Sequence, residues 1–135
     1  MAKGMSRAHE EHLRELLQSS PLARDALPYT GDFARLKEEF YDRTFKKLTD
    51  EEFWLALVGA AKKGGVTGKA RIEESVQLTD EQEHVLRKFL PIPIGQRDRL
   101  PYTELFRKLV VRFNTYLGAK MTEREVWICL LRLAK

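Results

Sequence analysis

Few residues in this 135-residue chain could do chemistry, and they are scattered. His9 and His12 lie three positions apart, a spacing that shares one helix face, with Glu10 and Glu11 beside them. A closed zinc site wants four ligands, usually thiolates among them. The chain offers a single cysteine, Cys129, and a third histidine, His84, far away in sequence. A nucleophilic thiol also needs a neighbouring base or cation to lower its pKa. Cys129 sits instead in Val126-Trp127-Ile128-Cys129-Leu130-Leu131, an apolar run that predicts a small buried side chain. The expectation is therefore no catalytic residue, no metal ligand set and no cofactor, and hence no enzyme.

What remains is contact chemistry. Arg97, Arg99, Arg107, Lys108 and Arg112 form the densest positive cluster, and three of them fall within two helical turns, where guanidinium and ammonium groups could meet phosphates. Ala34, Arg35 and Glu39 stand at the matching places of the first half, so that half lacks the cluster. Tyr29 and Tyr102 each follow a proline at a helix entry, a position suited either to docking the chain on its core or to touching a partner. Arg24-Asp25 and Arg97-Asp98 recur in the loop before each second helix, where an ion pair would fix that loop.

Charge distribution sharpens this reading. Residues 5–62 carry 9 Lys/Arg against 11 Asp/Glu, residues 63–77 carry 3 against 2, and residues 78–135 carry 11 against 7. Lys3 completes the net +4. The surplus lies in the second half, as an anionic partner there would require. With 43% hydrophobic residues the composition is that of a folding chain, and with a single cysteine no internal disulfide forms. The polar start, Met1 to His12, lacks the apolar core of a secretory signal, so a cytoplasmic protein is expected. The longest apolar stretch, Phe53 to Ala61, is roughly half the length of a bilayer span, so no membrane partner is expected.

The elements that must position these residues come twice. Shifting the sequence by 73 positions places Leu27-Pro28-Tyr29-Thr30 on Leu100-Pro101-Tyr102-Thr103, and 20 of 58 pairs between 5–62 and 78–135 are then identical without a gap. Equal spacing throughout implies equal turns, which reads as a tandem duplication of one unit. Each unit predicts three helices. The first spans about 6–18 and 79–90, the latter opened by the capping-box spacing Thr79-x-x-Gln82 and closed by Pro91 and Pro93. The second spans about 31–46 and 104–118, with Phe33, Leu36, Phe40 and Phe106, Leu109, Phe113, Leu117 on one face. The third spans about 50–63 and 123–135, behind the capping boxes Thr49-x-x-Glu52 and Thr122-x-x-Glu125.

The third helices are apolar nearly all round and carry Trp54 and Trp127 at matching positions, as core helices do. A helix-turn-helix with a DNA-reading third helix is disfavoured, because Asp50-Glu51-Glu52 and Glu123-Arg124-Glu125 would bring carboxylates to the phosphates. The glycine- and lysine-rich segment 63–77 reads as a connector, within which 71–77 fits strand, helix or loop.

The sequence thus predicts an all-α protein of about six helices, two three-helix units packed as one compact body. Its expected role is a non-enzymatic small helical binding or adaptor protein acting through protein–protein contacts, with a protein partner or a second copy of itself in a homodimer. The alternative is a nucleic-acid-binding accessory protein that uses the basic face of the second unit. A DNA and RNA titration against salt separates them, because phosphate contact weakens steeply as salt rises.

Overall fold

A computed structural model describes residues 6–64 and 76–134. Among these residues all regular structure is helical. The chain divides into two compact units, Met1–Ile72 and Glu73–Lys135, and the division falls inside the sequence-predicted connector 63–77. Residues 65–75, and with them most of that connector, lie outside the described residues.

In the first unit, α1 (Arg7–Ser19), α2 (Gly31–Thr44) and α3 (Asp50–Gly64) follow in order. A short 3-10 segment, Arg24–Ala26, joins α1 to α2. The second unit has α4 (Asp80–Phe89), α5 (Glu104–Leu117) and α6 (Glu123–Leu133), with a 3-10 segment Ile94–Arg99 between α4 and α5. The two 3-10 segments were read from sequence only as loops. The starts of α2 and α5, and of α3 and α6, differ by the same 73 positions that align the sequence.

Local chemistry explains the starts. Ser6, Thr30, Thr79, Thr103 and Thr122 each accept from a backbone N–H of the first turn, which otherwise lacks a partner. Thr49 and Glu52 close the third helix of unit one reciprocally: the Thr49 N–H donates to Glu52 Oε1 at 2.8 Å and the Glu52 N–H to Thr49 Oγ1 at 3.1 Å. Those bonds, the Thr49 backbone N–H first, hold the Glu52 carboxyl below its ordinary pKa. Thr122 and Glu125 repeat the arrangement in α6 at the same distances. Thr30 and Thr103 do double duty, since each hydroxyl also donates to the carbonyl three residues back, Leu27 or Leu100, at 2.6 Å.

Each unit is built around its third helix. Trp54 and Trp127 are 0% exposed. Phe53 is packed edge-on by Phe33 at 5.3 Å between centroids and tilted against Phe40 at 5.7 Å, while Phe106 stands edge-on to Trp127 at 6.4 Å. Leu13, Leu16, Leu17 and Leu36 complete the first core, and Leu86, Leu109 and Phe113 the second. The first helix is also tied to the end of the third by charge. Arg14 donates to the Ala60 carbonyl at 3.5 Å and Arg87 to the Leu133 carbonyl at 2.7 Å, again 73 residues apart on both sides. Arg87 thereby satisfies a last-turn carbonyl that has no helical partner, and both guanidiniums lie toward the negative end of the helix dipole.

These two kinds of contact should separate in a mutant series. Trp127→Ala removes a fully buried side chain and should lower stability by about 3–5 kcal/mol. Arg87→Met should cost only about 1 kcal/mol, because water re-solvates much of what is lost. Chemical denaturation followed by circular dichroism reads both.

Candidate interaction site

The sequence-nominated cations are mostly engaged. Arg107 pairs with Glu104 at 3.2 Å, one turn away on the exposed face of α5. The Arg112 guanidinium lies over the Phe89 ring at 4.2 Å from its centroid, a cation–π contact between α5 and α4. Arg97 donates to the Ile94 carbonyl at 3.3 Å within its own 3-10 segment. Lys108 and Arg99 are exposed. Arg97 and Arg99 thus belong to the loop segment and the other three to α5, and three of the five, Arg97, Arg107 and Arg112, are held by neighbours.

Tyr29 and Tyr102 are half-buried and share an unusual backbone, with φ of 66° and 67°. The Thr30 and Thr103 N–H groups bond back to Leu27 and Leu100 at 3.2 Å, so each Leu-Pro-Tyr-Thr forms a turn with proline second and a left-handed residue third. Glycine or asparagine usually fills that third place. The left-handed tyrosine is a feature that the sequence reading missed, since only a repeated Pro-Tyr before a cap hinted at it. In the same loop Arg24 does bind Asp25, at 2.9 Å, as its position suggested.

The remaining chemical candidates fall into the packing. Cys129 is 2% exposed, and burial pushes its thiol up to about 11 from 9.0. His9 lies edge-on to Phe40 at 6.0 Å, and His12 Nδ1 is 3.8 Å from Glu15 Oε1. Among the described residues no group of three His, Cys, Asp or Glu could hold a metal ion.

A different place in the first unit stands out, one not singled out from the sequence. At the end of α2, Tyr41 is 44% exposed and Phe45 79% exposed, their rings edge-on at 6.3 Å. Phe45 takes the left-handed conformation, φ 58°, that terminates the helix. Gly118, with φ 66°, does this at the matching position of α5. An L-residue in that conformation costs roughly 1–2 kcal/mol, which glycine escapes. Beside Phe45 a cleft of about 390 Å³ opens between α2 and the turn to α3, floored by the buried Phe40 and Phe53 and rimmed by Ala34, Tyr41, Lys46 and Lys47.

The second unit treats the same place differently. Asn114, aligned with Tyr41, donates its amide to the Met121 carbonyl at 2.9 Å and accepts from the Met121 N–H at 2.8 Å, which pins the turn to the helix. Tyrosine cannot reproduce that double bond. In the first unit the Thr44 hydroxyl accepts from the Lys46 N–H at 3.2 Å instead, and the Tyr41 ring is left at the surface.

Comparison with protein-family models, with curated proteins and with solved structures returned no match.

Two outcomes follow. Phe45→Gly should raise stability by about 0.5–1 kcal/mol, whereas Gly118→Ala should lower it by about 1 kcal/mol through backbone strain alone, there being open space where the new methyl would sit. Cys129 should resist thiol reagents at pH 8 until the protein unfolds. Its pKa is raised on folding, so between pH 9 and 11 the unfolded chain holds fewer protons and stability falls as pH rises, by at most about 2–3 kcal/mol. Cys129→Ala should lack that part of the alkaline loss.

Proposed function

We propose that this chain is a non-enzymatic binding protein, built by tandem duplication of a three-helix unit, that works by holding protein surfaces. The duplication reading is supported by the shared 73-residue offset of capping threonines, left-handed tyrosines, buried tryptophans and guanidinium ties. The observation that carries the binding reading is Phe45, an aromatic ring 79% exposed in a backbone conformation that glycine would hold at lower cost. Strain retained at an exposed position fits a residue kept for what it touches. Tyrosine and phenylalanine beside an apolar cleft are the composition of an interface anchor.

Phosphate contact through Arg97, Arg99, Arg107, Lys108 and Arg112 has weaker support. The Glu104 carboxylate and the Phe89 ring already occupy Arg107 and Arg112.

The test places a photoreactive phenylalanine analogue at position 45 of the full chain and irradiates it in cells. Protein adducts of discrete mass, a doubled chain included, are the expected result; adducts to nucleic acid alone, or none, would reject the reading. In parallel, an anisotropy titration with DNA and RNA should show no salt-sensitive binding that an Arg107→Ala, Lys108→Ala, Arg112→Ala variant weakens.

A further inference from the structure

The cleft beside Phe45 has a property that narrows its occupant. Its surface carries both halves of one contact. Phe45 stands proud of the protein and forms no part of the cleft wall, whereas the cleft is walled by Ala34, Tyr41 and Leu48 above the buried Phe40 and Phe53. Its volume, about 390 Å³, lies within the roughly 300–1,000 Å³ of sites that take small apolar groups.

The charges are two-sided as well. Lys37 and Asp50 neutralise each other at 2.9 Å, which leaves Glu38 on the helix side and Lys46 with Lys47 on the turn side. Lys46 also acts on the Glu52 carboxylate, while Lys47 and Glu38 are exposed and lack an ion pair among the described residues. An acidic segment laid in this cleft would satisfy the lysines but press on Glu38. A basic one would do the reverse. Only an occupant with the same two charges in opposite order satisfies both, and a second copy turned by a twofold axis is such an occupant.

We infer that the outer face of α2 is a twofold interface between two copies of this chain, in which Phe45 of each copy enters the cleft of the other and Lys46 and Lys47 of each meet the other's Glu38. This rests on the protein-binding reading and names its partner at this site. One ring and one charge cluster from each copy make a weak pairing, in the micromolar range or above.

Sedimentation velocity of the full chain, run through the micromolar range at low salt, decides it. The mass should rise with concentration from 15.7 kDa toward twice that value and stop there. Phe45→Gly should weaken association on the order of tenfold or more, which corresponds to about 1.4 kcal/mol. Glu38→Lys alone and the pair Lys46→Glu, Lys47→Glu alone should each weaken it, and the two combined should restore it. All these positions are on the surface, and far-UV circular dichroism verifies the fold of each variant. A chain monomeric throughout, growth beyond a dimer, association indifferent to these variants, or no rescue on combining the charges would each overturn the inference. A monomer that still crosslinks other proteins through position 45 would overturn it alone and leave the protein-binding reading standing.

Discussion

The constraint on which each unit depends is the burial of one helix on nearly all sides. Phe53, Trp54, Ala56, Leu57, Val58, Ala60 and Ala61 in α3 leave water only the narrow face of Glu52, Leu55, Gly59 and Lys62, and Val126 to Leu131 in α6 leave it none. A helix of this kind is stable only when other elements surround it, because its apolar surface far exceeds what one neighbour covers. The first and second helices are amphipathic for that reason, the 3-10 segments are pressed against the third helix, and the connecting turns are short. Polar groups enter such an arrangement only at helix ends. That is where the threonine caps and the Arg14 and Arg87 side chains are found.

Most of this was legible in the residues. Three- and four-residue apolar spacing marked α2 and α5, and Thr-x-x-Glu marked the starts of α3 and α6 to the residue. These signals are local, and local signals survive folding unchanged. The helix expected at 79–90 proved to be Asp80–Phe89, with Leu90 as its cap ahead of Pro91. The left-handed conformations of Tyr29, Phe45 and Tyr102 were not legible, since no tyrosine or phenylalanine announces a positive φ. The clustered cations looked alike in sequence, yet Glu104 and Phe89 distinguish them in space, and Phe89 reaches Arg112 from another helix. The cleft was hidden for a related reason: Ala34, Tyr41 and Leu48 come together from α2 and the following turn only in the fold, above Phe40 and Phe53, which read as core and are core.

The two units share a plan and differ where the second helix ends. In the second, glycine makes the left-handed turn and an asparagine side chain holds the following strand of backbone. In the first, phenylalanine makes the turn and a threonine hydroxyl holds it. One arrangement relaxes the backbone and the other exposes aromatic rings, so the difference between them trades conformational ease for exposed aromatic surface.

The Asn114 clamp has a dynamic corollary. Opening the turn after α5 requires both Asn114–Met121 bonds to break. The corresponding turn after α2 is held by the Thr44 hydroxyl and by the Phe45 N–H, which donates to the Tyr41 carbonyl at 2.7 Å. The same helix end is thus tethered by a side chain in the second unit and left with two rings at the surface in the first.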